Sequence, residues 1–592
     1  MATASAGRVS EMTILVLDGH SRAALEALQS LGRAGFQVDI ATEGADCMAF
    51  HSRYTTGKLR QPAQAQLADF HAWLRDQDRK RHYALIVPAT ETSLLGLRAL
   101  DDDDPLRLKA VLPGNQSLDI ALDKEKTWTL ARELWVPIPH SSLISSAAEI
   151  GQVQQFPVVL KPTHSKVLIA GELRTLAVAV VKDEPERQKQ LRRWLPLTPV
   201  LQQQYVFGRG VGVEFLFHHG RKVWHFVHER VHEYPLSGGA SSYRRSIKPP
   251  AKLLQDAEKL LAALRWHGVA MVEFKMDAHG QHWLMEINPR LWGSLAVSID
   301  AGVNFPLGLL QVARGEQPAP QPEYKLHYTR DLLADVEWLK DNLRADHKDR
   351  LLLTRSRSFS FLELLRPLTG HESWDHFDWR DLGITRRTLA LALSRQIRPI
   401  LRRIKSRQRE RRFLRHHRAL LRRLGNSGPK KILFLCYGNI CRSPLAAALA
   451  MKSLGGVEVE SAGFHDQAGR SCPEKILRIA GTFGVDLSRH RSTQVSREQL
   501  RSADLILAMD PENIERLKRD FPEAFPRTTL LGLFANPVSV VIADPYLADD
   551  PATNEPCSLV RSGVNGLALC VGGAQKTLPY ADAVPTTVHS AN

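Results

Sequence analysis

Runs of apolar residues alternate with amphipathic stretches at the start of the chain. Within residues 12–45, TILVLD, SRAALEALQSLGRAG and FQVDIAT have the spacing of a strand, a helix and a second strand, and Gly35 ends the helix. ALIVPAT (84–90) and AVLPG (110–114) predict further strands. The alternation predicts a parallel α/β domain over residues 12–118.

The pattern then changes three times. Residues 119–320 alternate strands and helices with more antiparallel character, and residues 321–394 form a mixed extension. A helix is predicted over residues 395–424 because apolar side chains recur there at helical spacing, at Ile397, Ile400, Leu401, Ile404, Leu414, Leu420, Leu421 and Leu424. The run GNSGP then predicts a hinge, so residues 395–429 are interpreted as a basic helical linker.

A second α/β domain begins at residue 430 with the apolar run KILFLC. Its pattern is lost after Tyr546, where Pro551, Pro556 and several glycines interrupt any helical period. We therefore expect the domain to end at residue 546 and residues 547–592 to form an irregular tail.

Charge is concentrated in the linker. The chain has 592 residues and a net charge of +16, and fifteen lysines and arginines lie between Arg395 and Lys431 against one acid, Glu410. The helix over residues 395–424 either faces solvent between two domains or lies on an anionic membrane surface. Nucleic acid is a less suitable partner, because Phe413 is almost the only aromatic residue there.

The cellular location is predicted from three features that the sequence lacks: a membrane span, a signal peptide and a disulfide scaffold. No apolar run is long enough to span a bilayer, and the first residues lack the features of a signal peptide. Six cysteines in 592 residues do not form a disulfide scaffold. We expect a cytoplasmic protein, with association at a membrane surface as an option.

The segment KILFLCYGNICRSPLAAALA (431–450) combines a buried strand, a loop and an alanine-rich helix. Five residues separate Cys436 from Arg442, so the loop can curl with its N–H groups directed at a phosphate, and Arg442 can bind two phosphate oxygens. Ser443 is expected at the N-cap and Pro444 at the first helical position. The helix N-terminus then favours the thiolate of Cys436, the candidate nucleophile.

This segment resembles the low-molecular-weight protein tyrosine phosphatases, and the resemblance covers about residues 430–546. Four further segments match the family pattern, at residues 461–463, 490–492, 503–510 and 544–546. The resemblance implies a doubly wound parallel sheet and a phosphotyrosine protein or small aryl phosphoester as substrate. It makes Asp544 the general acid and then the general base. It also implies four residues that support the loop, Asn439, Ser443, Ser461 and His490.

Two questions about this domain stay open in the sequence. Cys441 lies in the same loop, and the family resemblance implies that it captures oxidised Cys436 as a disulfide, while a packing role is equally compatible. Arsenate reductase is a rival activity because those enzymes share the fold and loop type. They need further cysteines as a relay, however, and Cys472 alone does not provide one.

Three segments within residues 119–320 contain candidate site residues for a second activity. Lys124 opens a helix, and Lys161 ends the strand FPVVLKP, so two lysines are available to neutralise nucleotide phosphates. Glu273 and Glu286 lie on two successive strands, and the alternation in MEINPR points Asn288 the same way as Glu286. Two carboxylates and an amide oxygen are suitable ligands for Mg²⁺.

In this order and spacing, the segments resemble the ATP-grasp superfamily, nearest its carbamoyl-phosphate-synthase and biotin-carboxylase-like branch, over about residues 12–320. The resemblance implies ATP and Mg²⁺ as cofactors, with a pre-ATP-grasp α/β domain followed by α+β domains. It assigns nucleotide binding to Lys124, Lys161, Gln203, Tyr205, Val206 and Arg290. It assigns Mg²⁺ binding to Glu273, Glu286 and Asn288. The flap expected after the second lysine, residues 163–171, contains a single glycine instead of a glycine-rich loop.

The sequence thus predicts a bifunctional enzyme. Enzymes of this ATP-grasp branch mostly activate a carboxylate as an acyl phosphate, which an amine or related nucleophile then attacks. The carboxylate and amine are not identifiable from the sequence. A phosphotransferase and a nucleotide sensor that regulates the phosphatase are the alternatives.

Overall fold

The computed structural model describes residues 12–63, 66–153, 155–164, 166–169, 172–424, 428–546 and 550–571. The chain divides into two compact units, Met1–Arg395 and Gln396–Asn592. The first unit combines α/β and α+β layers, and the second unit is built on a parallel α/β sheet, which confirms the predicted fold class.

The first unit begins with a four-stranded parallel sheet in the order β3-β2-β1-β4. Its strands are β1 (Thr13–Val16), β2 (Gln37–Thr42), β3 (Thr55–Arg60) and β4 (Leu85–Val87). Its helices are α1 (Arg22–Arg33), α2 (Leu67–Arg81), α3 (Glu91–Arg98), α4 (Pro105–Leu108) and α5 (Asn115–Leu122). Every residue of β1 and β4 is buried because helices cover both faces, as expected of a parallel sheet.

A small antiparallel sheet follows, in the order β5-β10-β6-β9. Its strands are β5 (Ser141–Ile144), β6 (Val158–Pro162), β9 (Ala179–Val181) and β10 (Val200–Gln204). The same part of the chain contains the helices α6 (Lys124–Glu133) and α7 (Glu184–Trp194). A separate hairpin is formed by β7 (Lys166–Ile169) and β8 (Glu172–Thr175). The hairpin covers part of the segment expected to form the flap. Residues 165, 170 and 171 of that segment lie outside the described residues.

The largest layer of this unit is a seven-stranded sheet in the order β15-β14-β11-β12-β13-β16-β17. Its strands are β11 (Arg209–His218), β12 (Arg221–Tyr234), β13 (Ala240–Ser246), β14 (Gly268–Met276), β15 (His282–Asn288), β16 (Tyr328–Arg330) and β17 (Glu372–Trp374). The helices of this layer are α8 (Ala251–Ala263), α9 (Leu295–Ala301), α10 (Phe305–Ala313), α11 (Leu332–Arg344) and α12 (Arg357–Glu363). The mixed extension therefore contributes two strands, β16 and β17, to the same sheet.

No single described helix is long and apolar enough to cross a membrane. Helices α9 and α10 together pass that test of length and composition, although they are bent by 90°. Most of their residues are buried in the core of the first unit.

Helix α13 (Leu382–Leu424) begins thirteen residues before the predicted linker helix. In the second unit its last turns pack on the adjoining α/β core, where Phe413 and Leu420 are buried and His416 Nε2 donates to Thr528 O across 2.9 Å. These turns belong to the second unit and are not a free linker. The side chains of Ile400, Leu401 and Ile404 lie outside the described part of the chain.

The second unit contains a parallel sheet in the order β19-β18-β20-β21. Its strands are β18 (Lys431–Cys436), β19 (Glu458–Gly463), β20 (Leu505–Ala508) and β21 (Thr528–Leu530), and its helices include α14 (Arg442–Ser453), α15 (Glu474–Thr482), α16 (Arg497–Ser502) and α17 (Pro511–Asp520). Side chains from the two faces of β18 enter two different hydrophobic clusters, with Phe434 in one and Leu433 in the other. This is the doubly wound parallel sheet that the sequence predicts.

The prediction of an irregular tail is wrong for residues 550–571. They form helix α18 (Asp550–Val571), which buries Cys557, Val560, Val564 and Leu567 against the core of the second unit. These four residues recur at helical spacing, and their burial outweighs the breaking effect of Pro556. Residues 547–549 and 572–592 lie outside the described residues.

Candidate active sites

The predicted phosphate loop lies at the carboxyl edge of the sheet of the second unit. Cys436 ends β18, and Arg442 begins α14. Gly463, the last residue of β19, lies against the loop so closely that a Cβ there would come within 2.9 Å of Asn439 N. Glycine at 463 is therefore what allows the loop to fold back on the neighbouring strand.

Two polar groups lie within hydrogen-bond distance of the Cys436 sulfur. Asn439 N donates to Cys436 Sγ across 3.2 Å, and Ser443 Oγ lies 3.0 Å from the same sulfur. Ser443 Oγ accepts from Asn439 Nδ2 at 3.0 Å, and its own hydrogen faces two acceptors, Cys436 Sγ at 3.0 Å and Ala462 O at 3.4 Å. Hydrogen bonds donated to sulfur stabilise a thiolate.

Asn439 organises the loop. Thr493 N donates to Asn439 Oδ1 across 2.8 Å, which fixes the amide so that Nδ2 faces Ser443 and Ser461, each 3.0 Å away. The Asn439 carbonyl accepts from His490 Nε2 at 2.8 Å. Asn439 has a φ of 51°, and Asn is one of the few residue types that adopt this left-handed conformation readily. The structure therefore brings together all four loop-supporting residues named from the resemblance.

Arg442 is held by carboxylates on two segments. Its Nη1 donates to Asp510 Oδ2 across 2.7 Å and to Ile542 O across 2.9 Å, and its Nη2 donates to Asp544 Oδ2 across 2.6 Å. Burial opposes the charge of Arg442, but the neighbouring Cys436 and the two carboxylates raise its pKa overall. The guanidinium is therefore charged and oriented beside the candidate nucleophile.

The entrance to the loop is formed by exposed groups. Asp544 has 46% of its side chain exposed and lies beside Tyr546, which is also exposed. Tyr437 is exposed on the loop itself, with the guanidinium of Arg516 4.8 Å from its ring centroid. Two aromatic rings and one carboxylate thus border the place where a leaving group would lie.

The structure corrects one expectation about the loop. The helix begins at Arg442 with Cys441 at its N-cap, so the assignment of Ser443 to the N-cap and Pro444 to the first helical position is wrong. The reason is that the Ser443 hydroxyl is engaged by Asn439 and Cys436 and does not cap the backbone. Cys441 is buried, and burial raises the pKa of its thiol well above the usual range.

The predicted Mg²⁺ ligands meet on β14 and β15 of the first unit. Asn288 Nδ2 lies 3.3 Å from Glu273 Oε1 and 3.2 Å from Glu286 Oε1. Burial would raise the pKa of Glu286, but Lys124 and Lys161 more than offset it, so its pKa is lowered. Burial raises the pKa of Glu273, and Glu286 adds to the effect. Two carboxylates beside an amide side chain provide the oxygen ligand types that fit Mg²⁺.

Both predicted lysines lie near these carboxylates. Lys124 Nζ is 3.8 Å from Glu286 Oε2. Lys161 is buried, and its ammonium contacts Met285 Sδ at 3.8 Å and the ring of Trp128 at 5.8 Å, which are weak partners for a cation. Burial lowers the pKa of Lys161 to about 8. A buried ammonium with weak partners fits a site that receives phosphate oxygens.

The other predicted nucleotide residues lie on β10 or in the segments that follow β10 and β15. Gln203 is buried on β10, and Tyr205 and Val206 lie between β10 and β11, which belong to the two sheets. Lys275 Nζ lies 5.7 Å from the centroid of the Tyr205 ring. Arg290 follows β15 and donates to Leu291 O across 3.0 Å.

Three arginine and aspartate contacts were not predicted. Asp510, which positions Arg442, follows the buried strand LILA, and an acid at the carboxyl end of a central parallel strand was the available signal. Arg470 Nη2 donates to Gly438 O across 2.7 Å and so supports the phosphate loop. In the first unit, Arg230 Nη2 lies 2.7 Å from Glu273 Oε1. No sequence signal indicated that Arg230 pairs with a predicted metal ligand.

Comparison with known families gives two separate matches. Residues 431–577 match the model of low molecular weight phosphotyrosine protein phosphatase, and residues 197–334 match that of ATP-grasp in the biosynthetic pathway with Ter operon. The first match includes helix α18, in agreement with its packing in the structure.

Individual proteins are similar to parts of the chain. The probable low molecular weight protein-tyrosine-phosphatase EpsP of Ralstonia nicotianae is 35% identical over 136 residues, which is 23% of this chain and 92% of that protein. The protein-arginine-phosphatase of Geobacillus stearothermophilus is 39% identical over 119 residues, 20% of this chain and 80% of that protein. The crystal structure of L-amino acid ligase from Bacillus licheniformis matches with 14% identity and a TM-score of 0.40, over 51% of this chain and 74% of that one. Residues 197–334 thus match an ATP-grasp family model, and through its C-terminal region the chain belongs to the low-molecular-weight protein-tyrosine-phosphatase family.

Proposed function

We propose that the C-terminal domain hydrolyses phosphotyrosine in proteins, or small aryl phosphoesters, through a phosphocysteine on Cys436. The observation that carries this proposal is the arrangement of two polar groups within hydrogen-bond distance of the Cys436 sulfur beside the fixed guanidinium of Arg442.

The reaction follows in two steps. The Cys436 thiolate attacks phosphorus and the bond to the aryl oxygen breaks, while Asp544 gives its proton to that oxygen. Water then attacks the phosphocysteine, Asp544 accepts a proton from it, and phosphate leaves with the thiolate restored. Arg442 binds the phosphoryl oxygens in both steps, and in doing so exchanges its contact with Asp544 for one with the substrate.

The entrance favours an aromatic substrate because Tyr437 and Tyr546 are exposed beside it. A phosphoarginine substrate is the competing class, since one relative is a protein-arginine-phosphatase. The test compares hydrolysis of p-nitrophenyl phosphate, a phosphotyrosine peptide and a phosphoarginine peptide. Cys436→Ser is expected to abolish turnover, and Asp544→Ala to slow it about 100-fold or more. Full activity of Cys436→Ser would refute the mechanism, and exclusive hydrolysis of phosphoarginine would refute the substrate class.

We propose that the ATP-grasp domain is an ATP-dependent ligase that joins a carboxylate to an amine. In this reaction the carboxylate attacks the γ-phosphorus of ATP and releases ADP, and the amine then displaces phosphate from the acyl phosphate. The supporting observation is the cluster of Glu273, Glu286 and Asn288 beside two lysines, one of which is a buried ammonium with weak partners.

In this proposal Glu273, Glu286 and Asn288 hold Mg²⁺, which supplies charge neutralisation for the triphosphate. Lys124 and Lys161 bind phosphate oxygens, and Gln203, Tyr205 and Val206 border the base. Arg290 stabilises the transferring phosphoryl group. Arg230 keeps Glu273 oriented through its 2.7 Å ion pair.

The ligase is tested by ADP release from the full chain with pooled carboxylates and amines. Release that requires both substrates supports the ligase, release with a carboxylate alone or another acceptor indicates a phosphotransferase, and nucleotide binding without release indicates a sensor. Glu286→Gln is expected to reduce ADP release strongly and to leave phosphatase activity unchanged. The matched control is Asp103→Asn, which removes an exposed acid.

We also propose that the protein is cytoplasmic and that it associates with anionic membrane surfaces through the basic helix α13. Arg411, Arg412, Arg422 and Arg423 are exposed on α13, which supports an electrostatic contact. The apolar side chains Phe413 and Leu420 are buried in the second unit, so they are not available to lipid. Binding to phosphatidylserine vesicles that disappears at high salt is the expected result, and binding to neutral vesicles would contradict it.

A further inference from the structure

A cavity of about 250 Å³ lies beside β17, between α1, α9 and the segment that follows the strand. Its walls include Glu26 of α1, Asp300 of α9 and Trp374 to Arg380. Strand β17 forms one edge of the seven-stranded sheet, whereas Glu273 and Glu286 lie on β14 and β15 at the opposite edge. The cavity is therefore separate from the proposed nucleotide site.

Carboxylate oxygens in this cavity have no hydrogen-bond donor among the described residues. Glu26 is 8% exposed and Asp375 is 4% exposed, and neither Glu26 Oε1 nor Asp375 Oδ1 accepts a hydrogen bond. His376 Nε2 lies 3.5 Å from Glu26 Oε1. Burial lowers the pKa of His376, so this imidazole is neutral and does not balance the carboxylate.

The cations around the cavity are engaged elsewhere. Arg244 pairs with the other oxygen of Asp375, and Arg33 pairs with Asp378 across 3.1 Å. Asp300 accepts from the Ser373 hydroxyl at 2.5 Å and lies 3.9 Å from His327. Burial, followed by repulsion from Asp375 and Asp300, raises the pKa of Glu26 to about 8. A bound cation would relieve this repulsion.

Aromatic rings form the outer part of the cavity. Phe377 is 44% exposed and Trp379 is 72% exposed, and Phe377 lies edge-on to Trp374 with centroids 5.4 Å apart. Arg380 lies 5.0 Å from the ring of Trp379. Such rings contact an organic body or an organic cation, and the volume is far larger than a bare metal ion needs.

We propose that this cavity binds a primary amine with an apolar body, its ammonium between Glu26 and Asp300 and its body against Trp374, Phe377 and Trp379. The ammonium supplies the hydrogen bond that Glu26 Oε1 lacks and adds a second donor to Asp300. The aromatic rings exclude strongly hydrated inorganic cations in favour of an organic one.

The test is calorimetric titration of the full chain with phenethylamine and with its uncharged counterpart 2-phenylethanol. Phenethylamine should bind, and Glu26→Gln and Asp300→Asn should each weaken it about tenfold or more, since each removes a charged partner. Trp379→Ala should also weaken binding, and this substitution is at an exposed position that folding does not require. The control Asp103→Asn should bind as the wild type does.

Three results would overturn the proposal. The first is that phenethylamine does not bind at about 10 mM. The second is that 2-phenylethanol binds as tightly as phenethylamine. The third is that Asp300→Asn and Trp379→Ala bind phenethylamine as tightly as the wild type does. Far-ultraviolet circular dichroism of each variant separates loss of binding from loss of fold. The readout is independent of ligase activity, so its failure and the failure of the proposed ligase are distinguishable.

Discussion

Arg442 Nη1 donates to Asp510 Oδ2 across 2.7 Å, and this ion pair joins the start of α14 to the residue that caps α17. Asp510 has two roles, because its other oxygen accepts from Asn513 N at 2.8 Å. The orientation of the Arg442 guanidinium thus depends on a helix cap that lies 68 residues further along the chain.

The two roles of Asp510 can be separated by substitution. Asp510→Asn keeps an acceptor for the cap and removes the charge that orients Arg442, so we expect kcat/KM to fall about tenfold or more with little change in Tm. Asp510→Ala also loses the cap, which costs about 1 kcal/mol, so its Tm should fall too. Steady-state kinetics and thermal unfolding measure both effects. Wild-type kcat/KM in Asp510→Asn would contradict the positioning role.

Asn439 is expected to be required for both its side chain and its backbone conformation. Asn439→Gly tolerates the φ of 51° and loses the hydrogen bonds to Ser443, Ser461 and Thr493, so its activity should fall sharply. Asn439→Ala adds a conformational cost of about 1–2 kcal/mol. We therefore expect Ala to be less stable than Gly in denaturant unfolding. Equal stability would show that the loop relaxes to another conformation.

Helix α18 should be intolerant of larger side chains where it meets the core. A Cβ at Gly566 would lie 1.9 Å from Phe534 O, so Gly566→Ala should destabilise the second unit by about 1–3 kcal/mol. Gly481→Ala is the matched control, because nothing lies within 4 Å of a Cβ at that exposed helical position. It should be neutral or stabilising by up to about 1 kcal/mol. Similar effects of both substitutions would contradict the packing of α18.

Glu26 makes the stability of the first unit depend on pH. Its folded-state pKa of about 8 is raised above the usual 4.5, so the folded state holds an extra proton between these values and stability falls as pH rises through this range. Asp375 and Asp300 raise this pKa after burial itself, and Arg244 and Arg33 lower it.

Glu26→Gln should therefore flatten the decline of Tm between about pH 5 and about pH 8. Thermal unfolding at these pH values measures the effect, with Asp103→Asn as the control that keeps the wild-type slope. An unchanged slope in Glu26→Gln would show that the pKa of Glu26 is not raised in the folded state.

Oxidation tests the role of Cys441. Peroxide should convert Cys436 to a sulfenic acid, and displacement of its oxygen as water by the Cys441 sulfur would give a disulfide that dithiothreitol reduces. Wild type should then recover most activity after dithiothreitol, and Cys441→Ser much less. Cys472→Ser is the matched control, since Cys472 is buried in the same hydrophobic cluster. Equal recovery in wild type and Cys441→Ser would leave Cys441 with a packing role.

The sequence predicts best the site residues that lie close together in the chain. The spacing of Cys436 and Arg442 determines the loop locally, and the alternation on β15 brings Glu286 and Asn288 to one face. Asp510 and Arg230 were missed because their contacts depend on which strands are neighbours and in what register. Arg230 reaches Glu273 only because β11 lies between β12 and β14.

Helix α18 was missed for a different physical reason. Its prolines and glycines disfavour an isolated helix, and the matching surface that stabilises it is formed by residues such as Leu531 and Phe534. The glycines that seemed to break the helix are what allow it to approach these residues closely.

The position of α18 in the chain has a consequence for biosynthesis. A chain emerging from the ribosome presents β18 and the phosphate loop more than 100 residues before α18 is made. During that interval the surface that receives Val560, Val564 and Leu567 is uncovered, so the nascent domain is open to aggregation and to chaperones. The ATP-grasp region, synthesised earlier, can meanwhile complete its own core. The cell would thus contain a folded first unit before it contains a finished phosphatase domain.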